Sequence, residues 1–120
     1  MKRVLVIERD RLHSELIREW LAAGGAKALW PHAPGVTRAD IDAILVDVAC
    51  QQQAHSVLTS WRRSYPDTAI VLASGRFLPG DMANNAMAIR LGVTHILAKP
   101  FTRDDLWAAL GLRATPAPRS

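Results

Sequence analysis

Five positions in this chain carry side chains whose types and placement could do chemistry together: Glu8, Asp10, Asp47, Ser74 and Lys99. Each stands at or just past the end of a short apolar run. "RVLVI" leads into Glu8-Arg9-Asp10, "DAILVDV" carries Asp47 at its end, "AIVLA" runs into Ser74, and "ILA" (Ile96–Ala98) runs into Lys99-Pro100. If these runs are parallel strands, their reactive groups collect just beyond the carboxyl ends, on one edge of the sheet. Acids from two strands, a hydroxyl from a third and an ammonium from a fourth would then converge. Such a set suits Mg²⁺ together with a transferable phosphoryl group, because the hard cation prefers oxygen ligands and the ammonium balances phosphate charge. Pro100 cannot donate to a strand ladder, so it turns the chain directly after the lysine.

The elements that must position these groups alternate between apolar runs and helical patterns, the arrangement of a parallel sheet built from βα units. After the first strand, Arg3–Ile7, "RLHSELIREWLAAGG" places Leu12, Leu16, Ile17, Trp20 and Leu21 at helical spacing, read as one inward face, and ends at Gly24-Gly25. "AKALW" is a weak second strand, and "PHAPGVTRAD" leaves room for a turn or two of helix at most. The continuous apolar run before Asp47 fits a strand covered on both faces. "HSVLTSWRRS" reads as a helix with Val57, Leu58 and Trp61 inward, and "ANNAMAIRLG" as another, closed by Gly92. "TRDDLWAALGL" is the last, with Thr102 and Asp105 spaced as a capping box. Residues 1–113 form one domain on this reading, and "ATPAPRS" (114–120) is an unstructured tail.

With 120 residues, 49% hydrophobic and 22% charged, the composition is that of an ordinary globular domain. No apolar run approaches the roughly 20 residues that cross a bilayer, and a cytoplasmic location is expected. The single cysteine, Cys50, excludes an internal disulfide and a cysteine-cluster metal site; it is read as a packing residue. The four histidines, His13, His32, His55 and His95, have no close ligand spacing, so zinc is not expected. The net charge of +4 comes from 15 Lys and Arg scattered with no long run, which argues for a solvated basic surface rather than nucleic-acid binding.

"VLVIERD", "DAILVDV", "IVLASG" and "MAIRLGVTHILAKPF" together resemble the receiver domain of two-component response regulators over nearly the whole chain. The most specific part is Lys-Pro-Phe after an apolar strand, its lysine 52 residues beyond an aspartate that ends another strand. The resemblance implies a doubly wound, five-stranded parallel α/β sheet of flavodoxin-like (βα)5 topology, here with a shortened second βα segment. It implies that Asp47 accepts a phosphoryl group from a histidine kinase or phosphotransfer protein and that Lys99 contacts that group. It also implies Mg²⁺ held by Glu8, Asp47 and the backbone carbonyl of Ala49. Partners would meet the face made by the fourth helix, fifth strand and last helix, through Met87, Arg90, Arg103 and Trp107. Either a downstream protein or a second copy of the chain would bind there.

The sequence departs from the family pattern at several of these places. Where a second adjacent acid usually ligates the metal, this chain has Arg9. Two outcomes follow from that change: Asp10 substitutes as the ligand, or the Arg9 guanidinium takes the cation's place and pairs with Asp47. The hydroxyl position at the end of the fourth strand aligns with Ala73, with Ser74 adjacent, and the aromatic position three residues before the lysine is Ile96. The usual hydroxyl–aromatic switch pair is therefore missing. "ACQQQAH" after Asp47 and Leu78-Pro79-Gly80 after the fourth strand are further elaborations.

Two functions compete on this reading. One is a phosphorylatable receiver that signals through protein contacts; the other is a degenerate pseudo-receiver that binds partners without phosphorylation. Turnover by an enzyme using Asp47 as nucleophile would need an acid–base residue two positions on, and position 49 is alanine.

Overall fold

The structure is a computed structural model, and it describes residues 2–31, 41–48, 51–75 and 88–113. Five parallel strands form one sheet: β1 (Lys2–Ile7), β2 (Ala26–Leu29), β3 (Ala43–Asp47), β4 (Ala69–Ser74) and β5 (His95–Ala98). Their order is β2-β1-β3-β4-β5, so the chain first winds to one side of β1 and then crosses to the other. Helices α1 (Arg11–Ala23), α2 (Gln51–Ser64) and α3 (Arg103–Leu110) complete the fold with a helical segment at 88–91.

Alternation along the strands divides the core into two layers, one on each face of the sheet. Val4, Val6, Leu45, Val71 and Leu97 face one way and pack with Ile17 and Leu21 of α1 and Leu106 and Leu110 of α3. Leu5, Ile44, Val46, Ile70 and Leu72 face the other way, with Ala54 and Leu58 of α2 and Ala88 and Val93. This is the doubly wound α/β architecture expected from the sequence.

Two local expectations need correction. On α1 only Ile17 and Leu21 of the five apolar residues are buried, while Leu12 is 79% exposed and Leu16 39%. At about 100° per residue, Leu12 lies nearly opposite the Ile17–Leu21 direction, so the five residues do not share one face. Helix α2 starts at Gln51, four residues before the expected His55, because the glutamines are good helix formers and Ala54 is fully buried. The segment 32–40, the tail 114–120, Ala49, Cys50, Met87 and the loop containing Leu78-Pro79-Gly80 lie outside the described residues.

The capping box at α3 forms as its spacing requires. Asp105 N donates to Thr102 Oγ1 at 3.1 Å, and Thr102 N donates to Asp105 Oδ2 at 3.0 Å. Gly111 ends that helix at φ 69°, in the left-handed region that favours glycine. None of the described helices is long and apolar enough to cross a membrane.

Candidate functional site

Strand register brings the acids together. Ile7 pairs with Val46, so Glu8, the next residue along, comes level with Asp47 at the end of β3. Ala73 pairs with Asp47 across β3 and β4, and Ser74 pairs with Ala98. Lys99 therefore leaves the sheet two strands away from Asp47. Ala73 near the end of β4 and Gly75 just past it lie between them, and neither carries a bulky side chain.

Lys99 spans that gap and binds both acids. Its Nζ lies 2.7 Å from Asp47 Oδ1 and donates to Glu8 Oε2 at 2.8 Å. The Glu8 side chain is 3% exposed, that of Asp47 13% and that of Lys99 22%. Burial disfavours the ammonium, but the hydrogen bonds to Asp47 and Glu8 and the charges of both acids outweigh it. The Lys99 pKa is raised above its ordinary 10.5. The backbone holds the lysine in place, since Lys99 N donates to Ser74 O at 2.9 Å.

Glu8 is also tied on its other side. Asp10 N donates to Glu8 Oε1 at 3.1 Å, and His13 Nδ1 lies 3.2 Å from Glu8 Oε2. His13 did not stand out in the sequence because no neighbouring histidine or cysteine shares its spacing. The chain reverses at Asp10, and the first turn of α1 then delivers the imidazole to the carboxylate, where it also packs on Phe101 with ring centroids 5.1 Å apart. The signal that could have revealed it is the offset from a strand-end acid into the first turn of the following helix.

Asp10 has a different employment. Its Oδ1 accepts from Leu12 N at 3.0 Å and His13 N at 3.2 Å, which makes it the N-cap of α1. Ser74 is fully buried, and its carbonyl joins the site through Lys99 N. Arg9 is exposed and pairs with no acid among the described residues, so the Arg9–Asp47 ion pair, one of the two outcomes open from the sequence, does not form; Lys99 occupies Asp47 instead. Arg9 and Asp47 nevertheless line the same cleft of about 430 Å³, together with Gln53 and Ser56 of α2 over a floor that includes Val48 and Trp61. Trp107, at a helical core spacing as well as among the residues expected on the partner face, is a core residue at 8% exposed; its Nε1 donates to Trp20 O at 2.7 Å. Arg103 lies over its ring at 4.5 Å.

The donor set does not fit a directly coordinated divalent metal. Both oxygens of Glu8 are engaged, Asp10 Oδ1 serves two backbone N–H groups, and Asp47 Oδ1 holds Lys99. Among the described residues no group of three or more His, Cys, Asp or Glu side chains is arranged to hold a metal ion. The Mg²⁺ site that the resemblance implies is therefore not matched by free side-chain oxygens of Glu8 and Asp10.

Known proteins of similar fold place this arrangement. No protein-family model matches the chain. A response regulator from Thermotoga maritima superposes with a TM-score of 0.70 at 21% identity, covering 92% of this chain and 95% of that one. A sensor protein from Polaromonas sp. JS666 gives 0.70 at 27% identity, over 92% and 93% of the two chains. A response regulator receiver domain protein from Clostridium thermocellum gives 0.69 at 21% identity, over 92% of each. In sequence, the chain is 29% identical over 114 residues to the transcription factor SKN7 of Candida albicans (strain SC5314). That match covers 89% of this chain and 20% of the relative, so the chain spans about a fifth of the length of the curated protein it matches. The fold is that of a response-regulator receiver domain.

Proposed function

We propose that this chain is a receiver module that accepts a phosphoryl group on Asp47 from a histidine kinase or phosphotransfer protein and passes the signal on through protein contacts. The observation that carries this reading is the Asp47–Lys99 pair at 2.7 Å, on the carboxyl edge of a parallel sheet. Lys99 holds Oδ1, so Oδ2 is the oxygen to attack phosphorus. The P–N bond of the phosphohistidine breaks, and its electron pair stays on the ring nitrogen, which leaves as neutral imidazole when the other nitrogen carries the proton. Lys99 then faces an acyl phosphate with more negative charge than the carboxylate it replaced. A fixed ammonium at that point stabilises the charge as it develops.

The engaged state of Glu8 and the lack of a metal-holding acid cluster among the described residues favour a second reading, a pseudo-receiver that binds partners without phosphorylation. Incubation with phosphoramidate in Mg²⁺-containing buffer separates the two. The first reading expects one hydroxylamine-sensitive phosphoryl group on the native chain and none on Asp47→Asn. An unlabelled native chain supports the pseudo-receiver, and a labelled Asp47→Asn variant rules out Asp47 as the acceptor.

A further inference from the structure

We infer that Arg9 supplies, as a fixed guanidinium, the positive charge at the phosphoryl site that a divalent cation would otherwise bring, so that phosphoryl acceptance by this chain is independent of Mg²⁺. The inference rests on the assignment of Asp47 as acceptor. Three observations lead to it. The acids near Asp47 are already committed, Glu8 through both oxygens and Asp10 to the cap of α1, so they do not offer a cation an oxygen cage. Glu8 and Asp47 bring two negative charges, matched by Lys99 and by Arg9 lining the cleft, while the charge of Asp10 faces the N–H groups at the start of α1. Arg9 is exposed and pairs with no acid among the described residues, which leaves its donors available to an incoming group.

The cleft has the chemistry to receive a tetrahedral dianion. Arg9 stands on the β1 side, Gln53 and Ser56 stand on α2, and Asp47 lies between these walls. A guanidinium offers two parallel N–H donors to two phosphoryl oxygens and keeps its charge at every physiological pH. Amide and hydroxyl donors from α2 can take the third oxygen, with Lys99 on the Asp47 side. Phosphoramidate is a suitable probe donor: Asp47 Oδ2 attacks phosphorus, the P–N bond breaks, and ammonia leaves with the electron pair. No oxidant, reductant or further reactant is needed.

The test follows labelling of Asp47 by phosphoramidate in EDTA and in millimolar Mg²⁺, for the native chain, Arg9→Ala, Arg9→Lys and Arg9→Asp, with calorimetric titration of Mg²⁺ alone into the native chain and Arg9→Asp. Because Arg9 is exposed and pairs with no acid among the described residues, the variants should fold as the native chain does, which a thermal melt checks. The inference expects equal native rates in both buffers and a loss of at least about tenfold in Arg9→Ala, the scale of removing one charge-stabilising donor. Arg9→Lys should retain most of the rate. Mg²⁺ should bind Arg9→Asp at least about tenfold more tightly than the native chain, since a repelling cation becomes an oxygen ligand. Native labelling that requires Mg²⁺, or an Arg9→Ala rate in EDTA equal to the native one, would overturn the inference and leave Asp47 as acceptor. Absence of labelling in both buffers would overturn the assignment of Asp47 and the inference with it.

Discussion

Lys99 balances two carboxylates that would otherwise repel each other at close range in a largely buried place. Removing the ammonium while keeping the aliphatic stem, as in Lys99→Met, leaves both charges without their common partner. The expected loss of stability is about 1–3 kcal/mol at neutral pH, below the range for fully buried pairs because Lys99 is partly exposed. Urea denaturation of the two proteins measures it. The pH dependence has a definite sign. Because the folded-state pKa of Lys99 is raised above 10.5, its contribution is complete below that value and is lost as pH rises through the folded pKa. The stability difference between native protein and Lys99→Met should therefore hold through pH 7–9 and shrink only in strongly alkaline solution. A difference that vanished near neutrality would mean that the pair contributes nothing through the ammonium.

The elements are fixed mainly at their ends. Asp10 and Thr102 both act as N-caps, and the two helices they start carry His13 to Glu8 and Leu106 into the core. Thr102 stands three residues after Lys99, so the cap also sets where the chain resumes helical geometry after the site. Thr102→Ala removes the acceptor for Asp105 N and half of the reciprocal box, with an expected cost of about 1 kcal/mol in thermal or urea unfolding. The labelling of Asp47 should be unchanged in that variant, because Lys99 is anchored through its own N–H to Ser74 O.

Across the molecule, α1 and α3 cover one face of the sheet, and they meet where Trp107 donates to Trp20 O. Gly24 makes that approach possible. A Cβ there would lie 2.9 Å from Trp107 Nε1 and 3.2 Å from Leu112 Cβ, although its φ of −91° suits any residue. The reason for glycine is space, and Gly24→Ala must move the indole or the end of α1. A destabilisation of about 1–3 kcal/mol is expected, with a change in tryptophan fluorescence that a surface Gly→Ala change would not produce. The same packing keeps Trp107 from serving as a partner anchor. Of the residues expected on that face, Arg103 is exposed beside the indole ring and Arg90 is exposed at the end of the 88–91 helix.

The sequence by itself determined the order of elements, the parallel sheet and the strand-end positions of Glu8, Asp47 and Lys99. Each of these follows from local periodicity, turn residues and the rule that parallel strands deliver their ends to one edge. Family resemblance added roles to those positions, and Arg9 was visible as a departure from the pattern. Tertiary structure alone decided which charges meet. Asp10 became a cap, Lys99 rather than Arg9 took Asp47, His13 joined Glu8, and Ser74 went inside. The Asp10 and His13 contacts are local, two to five residues apart, but the reach of Lys99 to Asp47 and to Glu8, 91 residues away, is set by strand register and helix packing. A sequence fixes such distances only through the whole fold, so the pairing of charges is legible only after the strands are in register.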